Sequence, residues 1–235
     1  MPATLPDPRA NRLLAILPAE EYQRLLPQLE YVTHSFGEVI YEPDKPMEYS
    51  CFPLTSTLSL QYTTADGATI EMGLVGKEGM GGITIFTGGG TMPNTTVVQI
   101  AGAAYRMKAK ALQAEFAQGG SLQQQLLRFM QALIVQISHT SVCNRLHTIE
   151  QRFCRHLLLL HDRVLSDDLK VTQELISRML GVRRESINVA SCHLQARGVI
   201  VYSRGHIHIR DRQALEACVC ECYQVVRQEY DRLIG

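Results

Sequence analysis

Three periods of hydrophobic spacing follow one another along the chain. Residues 10–29 group apolar residues in short runs, "NRLLAIL" and "PAEEYQRLLPQL", and predict short helices with Pro18 near a helix start. From about 30 to 108 the period falls to two. In "TLSLQYT" (57–63), Leu58, Leu60 and Tyr62 share one face, and Thr57, Ser59, Gln61 and Thr63 share the other. A tight turn follows at "ADG" (65–67), and glycines cluster between 76 and 90, where turns and close backbone approaches are expected. Short strands of this kind predict a compact β-barrel or jelly roll.

The period then lengthens. In "SLQQQLLRFMQALIVQISHTSVCNRL" (121–146), a stripe runs through Leu122, Leu126, Met130, Leu133, Ile137, Thr140 and Asn144. Its steps are 4, 4, 3, 4, 3 and 4 residues, as in a coiled-coil seam. Leu126, Met130, Leu133, Ile137 and Thr140 are the expected dimer contacts. Leu127, Phe129, Ile134 and Val135 lie off the stripe, so one helix could face both its own domain and a partner.

A second helix is read in "IEQRFCRHLLLLHDRVL". Thr172 can then cap "QELISRML", Gly181 makes a turn, a further helix spans about 183–197, and Gly198 ends it. "VIVYSRGHIHI" reads as two strands turning at Arg204-Gly205. Helix, glycine turn, helix and basic hairpin together describe a winged helix–turn–helix. The predicted class is α+β: a β-roll over 1–120, a long dimerisation helix over 121–146 and a winged helix–turn–helix over 147–235.

Charge sharpens this picture. The 23 basic and 23 acidic residues cancel overall, but seven arginines (Arg178, Arg183, Arg184, Arg197, Arg204, Arg210, Arg212) fall within 178–212 against only Glu185 and Asp211. That is the footprint of a polyanion-binding segment. Arg183 and Arg184 also stand at the start of a helix, where the dipole disfavours cations. An external anion would offset that cost. No signal peptide or membrane span is read, so a cytoplasmic protein with no membrane partner is expected.

The order of parts resembles the Crp/Fnr family of bacterial transcription regulators. The resemblance rests on "VGKEGMGGITIF", "CNRLHTIEQRFCRHLLLLHD" and "TQELISRMLGVRRESINVASCHLQARGVIVYSRGHIHIRD", and runs from about Leu13 to Leu215. It implies a homodimer on a double-stranded, palindromic DNA operator, with RNA polymerase a candidate partner. It places Arg184 and Glu185 at base edges, where arginine can pair with guanine and glutamate with cytosine. Arg183 and Arg204 then face DNA, and Thr172 and Gln173 hold its backbone. Many members carry an arginine four residues after the recognition arginine. Here Asn188 stands there and Val189 follows, so a different half-site is expected.

The barrel departs further from the resemblance. The glutamate that holds the ribose of cyclic AMP falls on Gly82, and the phosphate-binding arginine–serine pair falls near Asn94-Thr95. A buried phosphate with no cation is poorly compensated, so cyclic AMP is not expected to bind and no cofactor is expected. Gly81, Gly82, Asn94, Thr95, Thr96 and Ser138 remain the candidate pocket for an unidentified small effector. The iron–sulfur branch of the family needs N-terminal cysteines, and none precedes Cys51.

The run "CVCECY", read as one helix, puts Cys218 and Cys222 on one face and Cys220 on another. Buried thiol packing is the expectation, and no metal is assigned; one would need further ligands such as His206 or His208. No catalytic constellation is found, so an enzyme is not expected: "FTGGGTMP" lacks the lysine of a phosphate-binding loop. The alternative function is a ligand-binding or interaction protein that uses a cyclic-nucleotide-like barrel without DNA. The arginine-rich helix argues against it.

Overall fold

The computed structural model describes residues 5–164, 166–203 and 205–235. They divide into two compact units. The first comprises Met1–Leu60, Val75–Ile134 and Tyr230–Gly235, and the second Gln61–Leu74 and Val135–Glu229.

The chain opens with α1 (Arg12–Ala15) and α2 (Ala19–Leu25), each followed or preceded by a single 3-10 turn. Asn11 caps α1 and is fully buried. Its amide donates to the carbonyls of Pro53 and Gly79, both at 2.9 Å, so the buried polar group is satisfied. Strands β1 (Glu30–His34), β2 (Val39–Tyr41), β3 (Tyr49–Pro53), β4 (Thr57–Thr63) and β5 (Thr69–Val75) follow. After a short α3 (Thr84–Thr87) come β6 (Thr95–Ile100) and β7 (Gly102–Lys108). They form two sheets, ordered β1-β7-β3 and β2-β6-β4-β5, with β1-β7, β3-β7 and β2-β6 paired antiparallel.

The period-two reading located the sheets but not every face. Thr57, Leu58 and Ser59 are all buried, while Tyr62 is exposed. The first half of β4 is covered on both sides and its second half emerges, so Leu58, Leu60 and Tyr62 do not form one buried face. Two helices were not anticipated. In α3 the β-favouring residues "TIFT" make one turn, stopped by Gly88 in the left-handed region. In α4 (Ala109–Ala117), Leu112 and Glu115 are buried, with Glu115 held by Arg24 at 3.1 Å.

Helix α5 spans Gly120–Leu146. Leu122, Leu126, Phe129, Ala132, Leu133 and Gln136 are buried, at steps of three and four residues (with Ala132 beside Leu133). Phe129 lies where Gly79 comes closest: a Cβ on Gly79 would stand 2.1 Å from its ring, so only glycine fits there. The expected seam is corrected here. Leu126 and Leu133 are 0% and 2% exposed within their own chain and cannot meet a partner. Met130, Ile137 and Asn144 are half-buried. Thr140 is half-buried too, and its hydroxyl accepts from Arg155 at 2.9 Å. The apolar side chains that α5 leaves exposed are Leu127, Ile134, Val142 and Leu146. Because the apolar pattern ran wider than one stripe, spacing alone could not say which face the chain keeps for itself.

In the second unit, α6 (Ile149–His161) begins with a reciprocal capping box between Thr148 and Gln151, and Phe153–Leu160 are all buried. Strand β8 (Asp168–Leu169), α7 (Gln173–Leu180), α8 (Arg184–Ala196), β9 (Ile200–Ser203) and β10 (His206–Ile209) follow. The three strands pair in the order β8-β10-β9. The chain then forms α9 (Arg212–Cys218) and α10 (Glu221–Ile234). Val219 is extended between them, so "CVCECY" is a helix end, a break and a helix start rather than one helix. Among the described residues no helix is long and apolar enough to cross a membrane.

Candidate nucleic-acid interface

The helix–turn–helix is fixed locally. The Thr172 hydroxyl accepts from the Leu175 amide at 3.0 Å and starts α7. Gly181 closes α7 in the left-handed conformation (φ 61°), which lets the chain turn within two residues into α8. Ile187, Ala190, Ser191 and Leu194 bury one face of α8. The opposite face exposes Glu185, Asn188, Val189, Cys192 and His193, and Arg184 is exposed as the first residue of the helix. Arg183 is the N-cap residue and makes no side-chain cap; its carbonyl accepts from the Ser186 amide at 3.1 Å.

The arginines of the basic segment separate into two groups. Arg212 donates to Asp162 at 2.6 Å and to Glu216 at 3.0 Å, and also reaches His161 and Tyr223. Arg197 is held by Glu150 at 3.4 Å and by the Cys218 sulfur at 3.0 Å. These two are structural. Arg183 and Arg184 are exposed and engage no side-chain acceptor among the described residues. Arg178 is exposed, with only a long contact (3.8 Å) to Glu174. Thr172 is exposed beside them, as expected. The side chain of Gln173 is 6% exposed and turned inward, which corrects its reading as a backbone-holding side chain: the residue fills the core of the motif. Arg204 lies outside the described residues.

Two features of this surface were not read from the sequence. Val189 is 53% exposed in the middle of the outer face of α8, an apolar group among polar ones. The turn between β4 and β5 also reaches the motif. Gly67, Ala68 and Thr69 line an open cleft with Ser177, Arg178, Gly181, Val182 and Arg183, and Gln61 donates to the Met179 sulfur at 3.3 Å. An exposed valine at a helix midpoint was a signal available in the sequence. The hairpin contact was not, because nothing local links residues so far apart.

Residues 151–218 match the family model of the Crp-like helix–turn–helix domain. The chain carries a Crp-like helix–turn–helix domain. Its whole fold is similar to solved Crp/Fnr regulators. A putative transcriptional regulator of the Crp/Fnr family from Eubacterium rectale aligns with a TM-score of 0.68 at 16% identity, covering 90% of this chain and 97% of that one. FixK2 from Bradyrhizobium japonicum aligns with a TM-score of 0.65 at 16% identity, covering 82% and 98%. The c-di-GMP-responsive global regulator CLP from Xanthomonas campestris aligns with a TM-score of 0.62 at 16% identity, covering 83% and 100%. A search of curated proteins returned no match. At these identities the structural likenesses show the fold: a sheet-rich N-terminal part, the long α5 and the C-terminal Crp-like domain.

Two of the residues expected to hold an effector, Gly81 and Gly82, are covered by the protein itself. The amide of Gly81 donates to the Cys51 carbonyl at 2.7 Å and its carbonyl accepts from the Cys51 amide at 3.2 Å, so Gly81 has no free backbone donor for an anion. Gly82 adopts φ +92°, and a Cβ there would meet the Tyr41 hydroxyl at 3.0 Å and Ile85 at 2.9 Å. A Cβ on Gly81 would meet the Tyr41 ring at 3.1 Å. Tyr41 therefore covers both glycines. It is 7% exposed, donates its hydroxyl proton to the Tyr49 carbonyl at 3.0 Å, and is pushed well above the usual phenol range by burial. Asn94 and Thr96 are buried, Thr95 is half-buried, and Ser138 is exposed on α5.

Tyr41 also lines an open cleft of about 340 Å³ together with His34, Glu38, Tyr49, Cys51 and Arg106. Several of its charged residues are already paired. Glu38 contacts His34 at 3.1 Å, and Arg106 forks onto Glu30 at 2.8 and 3.0 Å.

Proposed function

We propose that this chain is a homodimeric, sequence-specific DNA-binding transcription regulator, and neither an enzyme nor a cyclic AMP receptor. One observation carries the reading. The outer face of α8 presents Arg184, Glu185 and Asn188 to solvent at the N-terminal half of a helix whose opposite face is anchored in the core. Arginine in that position can donate two hydrogen bonds to guanine, and glutamate can accept from cytosine. Arg183, Arg178 and Thr172 supply phosphate contacts, which position the helix without reading sequence. Val189 adds an apolar surface suited to a thymine methyl group.

Two such helices related by a two-fold axis would meet half-sites about one DNA turn, roughly 34 Å, apart. The pairing surface is the exposed face of α5, with Leu127, Ile134 and Val142 at its centre. The absence of an arginine at the phosphate position, and the Tyr41 ring over Gly81 and Gly82, support an effector other than cyclic AMP. Selection of binding sites from random double-stranded DNA tests the reading. A palindromic consensus with two half-sites supports it, and recovery of unselected sequence refutes it.

A further inference from the structure

Four groups that could ligate a metal converge in the second unit, far apart in sequence. Cys143 lies in the last turn of α5, and His147 follows four residues later on the same helical spacing, held by its amide bonding to the Cys143 carbonyl at 3.2 Å. Cys220 precedes α10 and accepts at its carbonyl from the Tyr223 amide. Cys222 sits in the first turn of α10. The three sulfurs and one imidazole nitrogen all lie within 4.8 Å of one another.

The distances are informative. Cys143 Sγ and Cys220 Sγ are 3.5 Å apart, and Cys222 Sγ is 3.7 Å from His147 Nδ1. Two sulfurs bound tetrahedrally to zinc at about 2.3 Å each stand about 3.8 Å apart, and a sulfur and an imidazole nitrogen about 3.6 Å. A disulfide would bring the sulfurs to about 2 Å. The other imidazole nitrogen has a partner as well: His147 Nε2 contacts Glu221 Oε1 at 3.3 Å. A ligating histidine commonly donates its second N–H to a carboxylate in this way, which fixes the ring orientation. Apolar packing of three thiols gives no reason to aim an imidazole nitrogen into the cluster and anchor its far side on an acid.

The surroundings also suit thiolates. The N-terminal end of α10 carries a partial positive charge beside Cys220 and Cys222. The Arg155 guanidinium lies near Cys143 and Cys222 and favours their charged forms. Three thiolates on a dication leave one net negative charge, which Arg155 and the helix end can offset.

We propose that Cys143, His147 Nδ1, Cys220 and Cys222 form a closed, tetrahedral structural zinc site that clamps the end of α5 to the start of α10. All three cysteines are buried and no fifth protein position is needed, which is the pattern of a structural rather than a catalytic site. The expected buried packing of thiols holds for Cys220 and Cys222, which cluster with Cys143; the proposed ligand set differs from His206 and His208. Cys218 points away and donates to the Ala214 carbonyl at 2.9 Å, and His208 is paired with Asp168 at 2.9 Å.

Elemental analysis of the full-length protein, purified without chelator from zinc-supplemented cells, tests the site. About one zinc per chain is expected, released by a thiol-reactive mercurial. Cys143→Ser and Cys222→Ser should each lose it, whereas Cys192→Ser and Cys218→Ser should keep it. Glu221→Gln should weaken zinc binding by about 10- to 100-fold in competition with a chelating dye. Should the ligand variants fail to fold, cobalt substitution of the unaltered protein decides. A sulfur-to-cobalt charge-transfer band with intense tetrahedral d–d bands supports the site. A pale octahedral spectrum, a metal-free protein, a Cys143–Cys220 disulfide, or full zinc content in the ligand variants overturns it.

Discussion

The barrel candidates and the residues at the start of α8 were both expected to meet a ligand, yet the molecule treats them in opposite ways. In the barrel the glycines that could approach a phosphate are covered by Tyr41, and the Gly81 amide already bonds to Cys51. On α8 the groups that could approach a phosphate or a base point outward, and two other arginines of the same segment are drawn into ion pairs. Polar groups that a fold has already satisfied have little left to offer a ligand, because burial without a partner is costly. The difference separates a finished core from a surface waiting for a polyanion.

The sharpest contrast that could break this account lies within one helix. Leu133 and Ile134 are neighbours on α5, one 2% and the other 55% exposed. Leu133→Ala should cost about 2–5 kcal/mol of stability, read by denaturant unfolding. Ile134→Glu should change stability of the isolated chain by no more than about 0.5 kcal/mol but shift sedimentation from dimer to monomer. Equal and small effects of both would show that the two faces of α5 are misassigned.

In the barrel, Tyr41→Ala should cost about 3–5 kcal/mol, as expected for emptying a buried aromatic site. Tyr41→Phe should cost only about 0.5–1.5 kcal/mol, the value of one hydrogen bond to the Tyr49 carbonyl. Cyclic AMP should bind more weakly than to a pocket with both charged contacts by about two to four orders of magnitude, at about 1.4 kcal/mol per tenfold. A calorimetric dissociation constant of about 1 μM or tighter would show that the barrel is built to hold it after all. The smallest effect is expected at Arg183. Arg183→Ala should weaken binding to all DNA sequences similarly and lower the slope of log affinity against log salt by about one.

Much of the fold was legible because its signals are local. Thr172, Gly181 and Gly198 mark helix ends by their own conformational preferences, and they do so in the structure. The outward turn of Glu185 follows from helical spacing around the buried Ile187, whereas Arg184, three residues before Ile187, is exposed because it opens the helix. What failed depended on which of two apolar surfaces packs inward. Leu126 and Leu133 carry a seam-like period, but Phe129 and Gly79 claim that side of α5 for the core. Gln173 matched a surface position and is buried. Tyr41 was invisible as the residue over Gly82 because strand alternation does not say what lies across a sheet. The cysteine run was misread for a different reason: the extended Val219 breaks the helix, and the partners Cys143 and His147 come from another element.

The central claim is that the exposed residues at the start of α8 read bases while the ion-paired Arg197 and Arg212 do not. Fluorescence anisotropy on the selected operator and on single-base-pair variants tests it directly, with Arg184→Ala compared with the unaltered chain. The account predicts that Arg184→Ala weakens operator binding by about 1–3 kcal/mol and abolishes discrimination at one base pair of each half-site, leaving non-specific affinity nearly unchanged. Equal loss on operator and non-specific DNA, with discrimination intact at every base pair, would contradict it.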